Sequence, residues 1–585
     1  MHASTLVTIT LGLFGHRVIT SEQTETQHPF GKSNEDAAPP SFYRDNGALE
    51  QFIEDTLRKW KTPGLAVAIV EGTSTWTKGF GWARQHGHNN NSTPVTPYSL
   101  FYTGSTTKSF TAAAMSQLVD NDAKFPHVQW DTPISSLIRD DFVLSDPWAT
   151  EHITIRDALS HRTGYPPHDL VSWSDPEAAT RGLRNLPMSA EPRAKYQYSN
   201  QLVTAVGYLI TRLYYPGETF RRWPGLLAYV FRDKLWYPMG MVFTYLSTQF
   251  PDSDSSQRYP AALADELWYH NDSDSYVVVP HSAHAGHEGA GMVISCVADY
   301  AKYLRYMMSS SSDQKGPISA AGKAAMKAPH TAMGTSSFPP FTGPVYYGMG
   351  WAGGVLEGTE FWFHNGQMRE HRTEMWMFPS KQFGVAIMTN AHTPAIEIVL
   401  WRILYDYFDV PQSRRLDMGQ MARERMAASR RGLETCLDRL YPRSIPPLPR
   451  PLPLAAYAGV YDHVGYGNIT LSLQCGDEAR KEYPAATPAH PTVERGCLLR
   501  GSGPLEFEGK SFHVDFEHVT GDYWIAWLFV DAYAPPGSGL TKRPQLCLRV
   551  QFRTGPDGDV EAFGADFRLE GEHGPLVWYE NRKSI

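Results

Sequence analysis

The residues best suited to chemistry in this 585-residue chain are a serine and a lysine three positions apart, Ser105 and Lys108. Gly104 and Ser105 precede an alanine-rich run, which predicts a helix that begins near the serine. Positions i and i+3 share one face of a helix, so the Lys108 amine would lie near the Ser105 hydroxyl. Because a serine hydroxyl needs a nearby base, and because helix N-terminal N–H groups stabilise an oxyanion, this pair predicts an acyl-accepting site.

The S-x-x-K pattern alone is short, and a helix cap followed by a surface lysine would look the same. A second copy at 312–315 lies in a serine run, and we interpret it as a solvated loop. Two further motifs favour catalysis. Tyr198-Ser199-Asn200 precedes a predicted helix at 201–208, and His364-Asn365-Gly366 follows a predicted strand at 360–363. Other matches to these two patterns lie in predicted loops, turns or the tail, at 269–271, 284–286, 287–289, 463–465, 466–468 and 579–581.

The elements that must position these motifs occur in the order β, mostly helix, then β. Apolar runs at 65–70 and 75–83 predict a hairpin around Gly72. Helical periodicity dominates from 105 to about 240. Strand patterns then return, at 360–363, 373–378 and 383–389.

Composition shifts divide the chain further. A charged amphipathic pattern at 412–440 predicts a helix, the proline-rich stretch at 443–453 predicts a stiff linker, and short alternating runs after 457 predict a small β-barrel or sandwich. We expect a lead with a candidate signal peptide, a domain that carries the three motifs, a helix with its linker, and a β-rich C-terminal domain, at 1–44, 45–411, 412–453 and 454–585.

Composition narrows the classes of partner. The chain has 53 Lys and Arg against 61 Asp and Glu, a net charge of −8, so a nucleic-acid partner is not expected. Its 42% apolar and 19% charged residues are typical of globular domains. The apolar run at 6–14 is too short for a transmembrane helix. The same run could belong to a signal peptide, and the sequons at Asn90, Asn91, Asn271 and Asn468 are compatible with export. Together they favour a secreted glycoprotein, with a cytoplasmic location as the alternative.

Other chemistries have weaker support. The five cysteines lack zinc-type spacing, and we expect Cys475 to pair with Cys497. His281, His284 and His287 lie among Ser, Ala and Gly, so a loop beside the cleft is favoured over a metal site. The loop acids Asp252, Asp254, Asp272 and Asp274 lack an EF-hand register. The G-x-S-x-G pentapeptide of α/β-hydrolases is absent. We predict no metal and no cofactor.

The three motifs, Ser105-Thr106-Thr107-Lys108, Tyr198-Ser199-Asn200 and His364-Asn365-Gly366, resemble those of serine β-lactamase-like proteins, in the branch with class C β-lactamases, esterases and D-aminopeptidases of the peptidase S12 type. Segments 62–81, 153–164 and 288–304 resemble the same branch, and the likeness covers about 45–410. It implies an α+β fold: an antiparallel sheet flanked by helices, with an inserted all-helical lobe. The C-terminal segment resembles the small β-barrel appended to several members.

The resemblance also implies catalytic roles. Ser105 would be the acylated nucleophile, Lys108 its proton partner, and Tyr198 the base that shuttles protons to the leaving group. A phenol ordinarily titrates near 10, so Tyr198 could act at neutral pH only if a nearby cation such as Lys108 favours the phenolate. Which residue accepts the first proton is left open by the sequence.

The remaining site residues follow from the same resemblance. Asn200 would hold Lys108 and contact substrate, and the N–H groups of Ser105 and Gln367, beside Gly366, would form the oxyanion hole. His364 stands where β-lactamases usually carry the lysine of Lys-Thr-Gly. An imidazole is often neutral at pH 7 and suits a substrate carboxylate less well than an ammonium, which disfavours β-lactam hydrolysis. The run at 367–373 also lacks the small residues common after this motif.

The sequence therefore predicts a serine hydrolase that acts on an ester or amide of a small molecule or short peptide, within specialised metabolism as one option. Acyl transfer through the same acyl-enzyme is one alternative. A non-catalytic binding or scaffold protein of the same fold is another, although all three motifs are intact in residue type. The oligomeric state is left open.

Overall fold

A computed structural model describes most of the chain from Gly47 onward. The described residues are 47–86, 91–171, 173–218, 225–249, 262–281, 285–309, 316–334, 341, 343–441, 447–475, 497–507, 510–533, 543–570 and 574–584. The expected lead at 1–44, the second S-x-x-K copy at 312–315, and His284 lie outside them. Within the described part of the chain, no helix has the length and apolar character needed to cross a membrane.

The strands of the first part of the chain form one large sheet and two small ones. They are β1 Gly64–Glu71, β2 Ser74–His86, β3 Asn91–Pro94, β4 Phe101–Tyr102, β5 Tyr245–Leu246, β6 Glu266–His270, β7 Ser275–Val279, β8 Val293–Ser295, β9 Thr331–Ala332, β10 Tyr346–Tyr347, β11 Ala352–Leu356, β12 Thr359–Met368, β13 His371–Phe378 and β14 Phe383–Thr389. The large antiparallel sheet has the order β3-β2-β1-β14-β13-β12-β11-β10-β9, with β4-β8-β5 and β6-β7 separate.

The helices cover both faces of this sheet and fill the segment between β4 and β8. They are α1 Ala48–Lys59, α2 Thr107–Val119, α3 Ile134–Leu137, α4 Pro147–His152, α5 Ile155–Leu159, α6 Pro176–Gly182, α7 Asn200–Tyr214, α8 Leu226–Phe231, α9 Glu288–Gly291, α10 Val297–Met308, α11 Ala320–Met326, α12 Ala395–Tyr407, α13 Met418–Glu434 and α14 Cys436–Leu440. The predicted antiparallel sheet with flanking helices is confirmed. The inserted segment is mainly helical but also contains β5, β6 and β7.

Strand β1 shows why the sheet occupies the middle of the domain. Its sequence, Gly-Leu-Ala-Val-Ala-Ile-Val-Glu, is almost wholly apolar and its apolar side chains are all buried. Successive side chains of a strand point to opposite faces, and a strand covered on both faces is therefore apolar throughout. Leu65, Val67 and Ile69 pack in the core on the α1 and α12 side, whereas Ala66, Ala68 and Val70 belong to the core on the other side.

The C-terminal part is a closed eight-stranded barrel, so the predicted small β-barrel is confirmed. Its strands are β15 Gly459–His463, β16 Gly467–Cys475, β17 Cys497–Phe507, β18 Lys510–Thr520, β19 Tyr523–Val530, β20 Leu546–Thr554, β21 Val560–Ala565 and β22 Val577–Asn581. Aromatic side chains fill it: the rings of Trp524 and Phe552 have centroids 5.1 Å apart, and those of Phe563 and Tyr579 stack at 5.0 Å.

Two disulfides join parts of this C-terminal region. The expected Cys475–Cys497 bond is present and connects β16 to β17, where the two residues are direct partners in the ladder. A second bond, Cys436–Cys547, ties α14 to β20 across 111 residues of sequence. The fifth cysteine, Cys296, is free and buried.

The barrel packs against the motif-bearing domain close to the motifs. Lys510 of β18 forms a buried ion pair with Glu370, with Nζ 2.9 Å from Oε1. Glu570 accepts hydrogen bonds from Ser189 and from Gln197, the residue before Tyr198. The barrel therefore contacts the motif-bearing domain directly and forms part of the surroundings of the site.

Candidate active site

The start of α2 places Ser105 and Lys108 on one face, as the spacing predicts. After β4 the backbone turns at Gly104, whose φ of +52° favours glycine, and a 3-10 turn at Gly104–Thr106 leads into α2. The Lys108 Nζ donates to Ser105 Oγ at 3.0 Å. This distance is within the reach required of a nucleophile and its base.

Lys108 is fixed by two further acceptors. Its Nζ donates to Asn200 Oδ1 at 2.7 Å and to the Ala290 carbonyl oxygen at 2.8 Å. Both of these oxygens can only accept, so they engage two N–H groups of the amine. The third position on Nζ points at Ser105 Oγ. When the amine is neutral, that position is its lone pair, which is aimed at the serine proton.

Burial also sets the protonation of Lys108. The side chain is fully buried, and desolvation of the ammonium lowers the pKa of Lys108 to about 7, a shift that the negative charge of Asp169 partly opposes. Removal from water penalises the charged form of a lysine, which explains the direction. A substantial fraction of the protein therefore carries a neutral amine at Lys108 near neutral pH.

Tyr198 lies beside this pair. The Lys108 Nζ is 4.6 Å from the centroid of the Tyr198 ring, and the Ser105 side chain is close enough to oppose part of the rise in the pKa of Tyr198. Burial raises the pKa of the Tyr198 hydroxyl well above its ordinary value, because removal from water penalises the phenolate. The Tyr198 hydroxyl is therefore protonated near neutral pH.

Asn200 is oriented by a carboxylate that the sequence did not single out. Its Nδ2 donates to Asp169 Oδ1 at 2.9 Å, which leaves Oδ1 to accept from Lys108. Burial raises the pKa of Asp169 to about 6, while the Asn200 hydrogen bond and Lys108 oppose the shift. Asp169, Asn200 and Lys108 thus form a chain that ends at Ser105.

Two glycines let the third motif approach the nucleophile. A Cβ on Gly366 would lie 1.9 Å from the Thr103 carbonyl oxygen, and one on Gly104 would lie 2.4 Å from the Gln367 nitrogen. Any larger side chain at either position would push β12 away from Ser105. The glycines therefore bring the backbone of Gly366 and Gln367 against the turn that carries the serine. The sequence predicts that the strand ends at Phe363, directly before this motif. In the structure β12 continues through the motif to Met368.

His364 is buried and its ring is already engaged. Nδ1 lies 2.6 Å from the Asn365 carbonyl oxygen, so it carries the proton, and Nε2 accepts from the Tyr347 hydroxyl at 2.7 Å. Burial, together with the nearby Lys108, lowers the pKa of His364 to about 3. The imidazole is therefore neutral, and neither of its nitrogens has an N–H group left for a substrate carboxylate.

The structure thus brings Ser105, Lys108, Tyr198, Asn200, His364, Gly366 and Gln367 together, and it adds three residues. Besides Asp169 and Tyr347, His161 packs its ring 4.2 Å from that of Tyr198 and accepts from the Ser199 N–H at 3.2 Å. Asp169 is the only acidic residue in the run Gly-Tyr-Pro-Pro-His-Asp-Leu-Val-Ser-Trp, where His168 is its neighbour. This is a weak signal that could have drawn attention to Asp169.

The fold and this serine–lysine–tyrosine arrangement define a class of protein. The model of the β-lactamase family matches residues 49–404, which is more than half of the chain. The chain belongs to the β-lactamase family.

Particular relatives are also similar. An unguisins hydrolase of Aspergillus violaceofuscus (strain CBS 115571) is 36% identical over 543 residues, which cover 89% of this chain and 87% of that protein. An unguisins hydrolase of Aspergillus campestris (strain IBT 28561) is 36% identical over 434 residues, which cover 72% and 76%. The octameric penicillin-binding protein homologue from Pyrococcus abyssi shares the fold at 17% identity and a TM-score of 0.50, over 92% of this chain and all of that one.

Proposed function

We propose that this protein is a serine hydrolase that forms an acyl-enzyme on Ser105 and cleaves an amide or ester bond in a small molecule or short peptide. The observation that carries the proposal is the contact of Lys108 Nζ with Ser105 Oγ at 3.0 Å, made by an amine whose pKa is lowered to about 7. The two similar proteins named unguisins hydrolases support hydrolysis, and they make unguisins the first compounds to test.

In the acylation step, Ser105 Oγ attacks the substrate carbonyl carbon while the neutral Lys108 amine accepts the hydroxyl proton. The N–H groups of Ser105 and Gln367 receive the developing oxyanion, a role that the close approach at Gly104 and Gly366 supports. Asn200 keeps the amine aimed at the serine throughout.

Collapse of the tetrahedral intermediate breaks the bond to the leaving group. Tyr198, which is protonated in the resting site, donates its proton to the departing nitrogen or oxygen and recovers one from the Lys108 ammonium. Water then attacks the acyl carbon, its proton returns by the same groups, and Ser105 is released with the acid product.

This proposal predicts a pH dependence. The Lys108 amine accepts a proton only when it is neutral, and the pKa of Lys108 is lowered to about 7. We expect kcat/KM for an ester substrate to rise as pH rises through about 7 and to fall on acidification, because the ammonium form has no lone pair. A pH profile of kcat/KM between about pH 5 and 9 measures this limb.

Asp169→Asn provides the internal check on that assignment. The Asp169 charge raises the Lys108 pKa, so its removal should move the acidic limb of the profile to lower pH. Asp175→Asn changes a helix-capping carboxylate outside this chain of contacts and should leave the limb in place. A profile that is flat in the unsubstituted protein, or that does not move in Asp169→Asn, contradicts Lys108 as the first proton acceptor.

The state of His364 predicts the order of substrates. A β-lactam carboxylate would meet a neutral imidazole with no spare N–H, so a chromogenic cephalosporin should be a poor substrate. We expect a short activated ester to turn over fastest, a D-alanyl anilide more slowly and the cephalosporin slowest. The measurement is kcat/KM for the three compounds on one preparation, and cephalosporin turnover that matches the ester would contradict this interpretation of His364.

A further inference from the structure

An open cavity of about 300 Å³ lies beside the candidate active site. Its wall includes Tyr198, His364 and Asn365, whereas the described lining residues do not include Ser105 or Gln367. The cavity therefore borders the proton donor and not the proposed oxyanion hole. The part of the substrate nearest to it is the group that receives a proton from Tyr198.

The cavity reaches around an edge of β12 that is not paired. The ladder between β11 and β12 ends at Phe363, so beyond that residue β12 pairs only with β13 among the described strands. Phe363, His364 and Asn365 all line the cavity although successive residues point to opposite faces of a strand. The space thus runs from Tyr198 over the strand edge toward α12 and α13.

Aromatic rings form much of its far wall. The Phe341 ring has its centroid 6.0 Å from that of Trp376 and 5.8 Å from that of Trp401, and Phe363 stacks on Trp376 at 4.4 Å. All four residues line the cavity. Planar apolar walls of this kind favour an aromatic occupant, because ring pairs gain energy beyond that of the buried area.

One carboxyl group lies within this wall. Glu374 is only 4% exposed, and its Oε2 accepts from the Trp376 indole N–H at 3.0 Å. At the rim, Glu397 is paired with Arg372 and Arg425. Burial raises the pKa of Glu374 to about 7, so the group can be a neutral acid or a carboxylate near neutral pH. In both forms it retains an oxygen that can accept a hydrogen bond from an N–H of the occupant.

We propose that this cavity is the leaving-group subsite and that it takes the aromatic side chain of the residue whose amine is released. This inference rests on the proposed acyl-enzyme function, because it assigns the cavity by its contact with Tyr198. It makes peptides or amides with an aromatic residue directly after the cleaved bond the preferred substrates.

The subsite can be tested by the partition of the acyl-enzyme between water and an added amine. An added amine binds in the same place from which a leaving amine departs. With a short ester as acyl donor, the amine nitrogen attacks the acyl carbon, the bond to Ser105 Oγ breaks, and the amine proton passes through the Tyr198 and Lys108 groups to restore the serine hydroxyl. Phenylalaninamide should capture the acyl group on the order of tenfold more efficiently than alaninamide, relative to water. The readout is the ratio of amide product to acid product for each amine.

Two matched variants separate the subsite from general damage to the core. Phe341→Ala removes a ring from the cavity wall and should bring the two amines to within about twofold of each other. Phe408→Ala removes a partly buried ring from the same core cluster at the end of α12, away from the cavity, and should keep the preference. A ratio of products reports specificity and does not move when stability alone falls.

Equal capture of phenylalaninamide and alaninamide by the unsubstituted protein overturns the subsite while leaving Ser105-dependent ester turnover intact. Binding of the two amines to Ser105→Ala, measured by calorimetry, tests the subsite without any turnover: phenylalaninamide should bind more tightly, and equal binding also overturns it. If the unsubstituted protein, in contrast, neither turns over the ester nor is labelled at Ser105 by a fluorophosphonate, that result contradicts the proposed function and not the subsite.

Discussion

Replacement of Ser105 by alanine should lower kcat for an ester substrate by a factor on the order of 10⁴ or more. The substitution removes the atom that would form the acyl bond, and among the described residues Ser105 supplies the one hydroxyl that is hydrogen-bonded to Lys108 Nζ. The chain of contacts from Asp169 through Asn200 to Lys108 does not depend on the serine oxygen, so the fold should be retained. Turnover of p-nitrophenyl acetate measures the loss.

Ser109→Ala is the matched control. Ser109 lies one turn further along α2, is buried, and donates to the Thr106 carbonyl oxygen at 2.8 Å. Its replacement removes a buried hydroxyl from the same helix without touching Lys108, so activity should stay within a few-fold of the unsubstituted protein. Equal turnover by the Ser105→Ala variant and the unsubstituted protein would remove Ser105 from the mechanism.

Replacement of Lys108 by methionine should lower kcat/KM by about 10²- to 10⁴-fold, the usual contribution of a positioned acid–base group. Methionine keeps much of the length of the side chain but can neither accept the serine proton nor donate to Asn200 and Ala290. The pH dependence below about 7 should disappear in the residual activity, because the group assigned to that limb is gone. Steady-state kinetics across pH measures both effects.

Lys323 provides a control for the effect of replacing a buried lysine in general. It is also a buried lysine, its pKa is lowered to about 8 by desolvation, and it donates to the Tyr306 and Ser309 carbonyl oxygens away from the candidate site. Lys323→Met should leave kcat/KM and its pH profile nearly unchanged. A comparable loss in both lysine variants would show that the effect comes from a disturbed core and not from the chemistry of Lys108.

Several parts of the fold can be predicted from the sequence, because they depend on residues that are close together in the chain. The glycine–serine start and the alanine run of α2 set the i, i+3 contact of Ser105 with Lys108, which follows from helix geometry alone. The apolar run of β1 and the short alternating runs of the barrel were equally visible. The pair Cys475–Cys497 was also within reach, because few residues separate the two.

The features that the sequence did not reveal depend on contacts between distant segments. Asp169 reaches Asn200 across 31 positions, and Tyr347 completes the hydrogen bonds of His364 only because β10 and β12 share a sheet. The protonation of Tyr198 depends on its surroundings in the same way: proximity to Lys108 follows from the motifs, whereas the burial that dominates the pKa of Tyr198 does not. The Cys436–Cys547 bond spans 111 residues, and connectivity of this kind does not follow from spacing.

Detection of a covalent adduct on Ser105 would be the most direct test of this mechanism. The protein would be quenched with acid during turnover of p-nitrophenyl acetate, digested, and its peptides analysed by mass spectrometry. An acetyl group should be found on the peptide that contains Ser105, assigned to that serine by fragmentation and absent from the Lys108→Met sample quenched at the same early time. Ester turnover without any adduct at Ser105, or with the acetyl group on a different residue that proves necessary for activity, would contradict an acyl-enzyme at this serine.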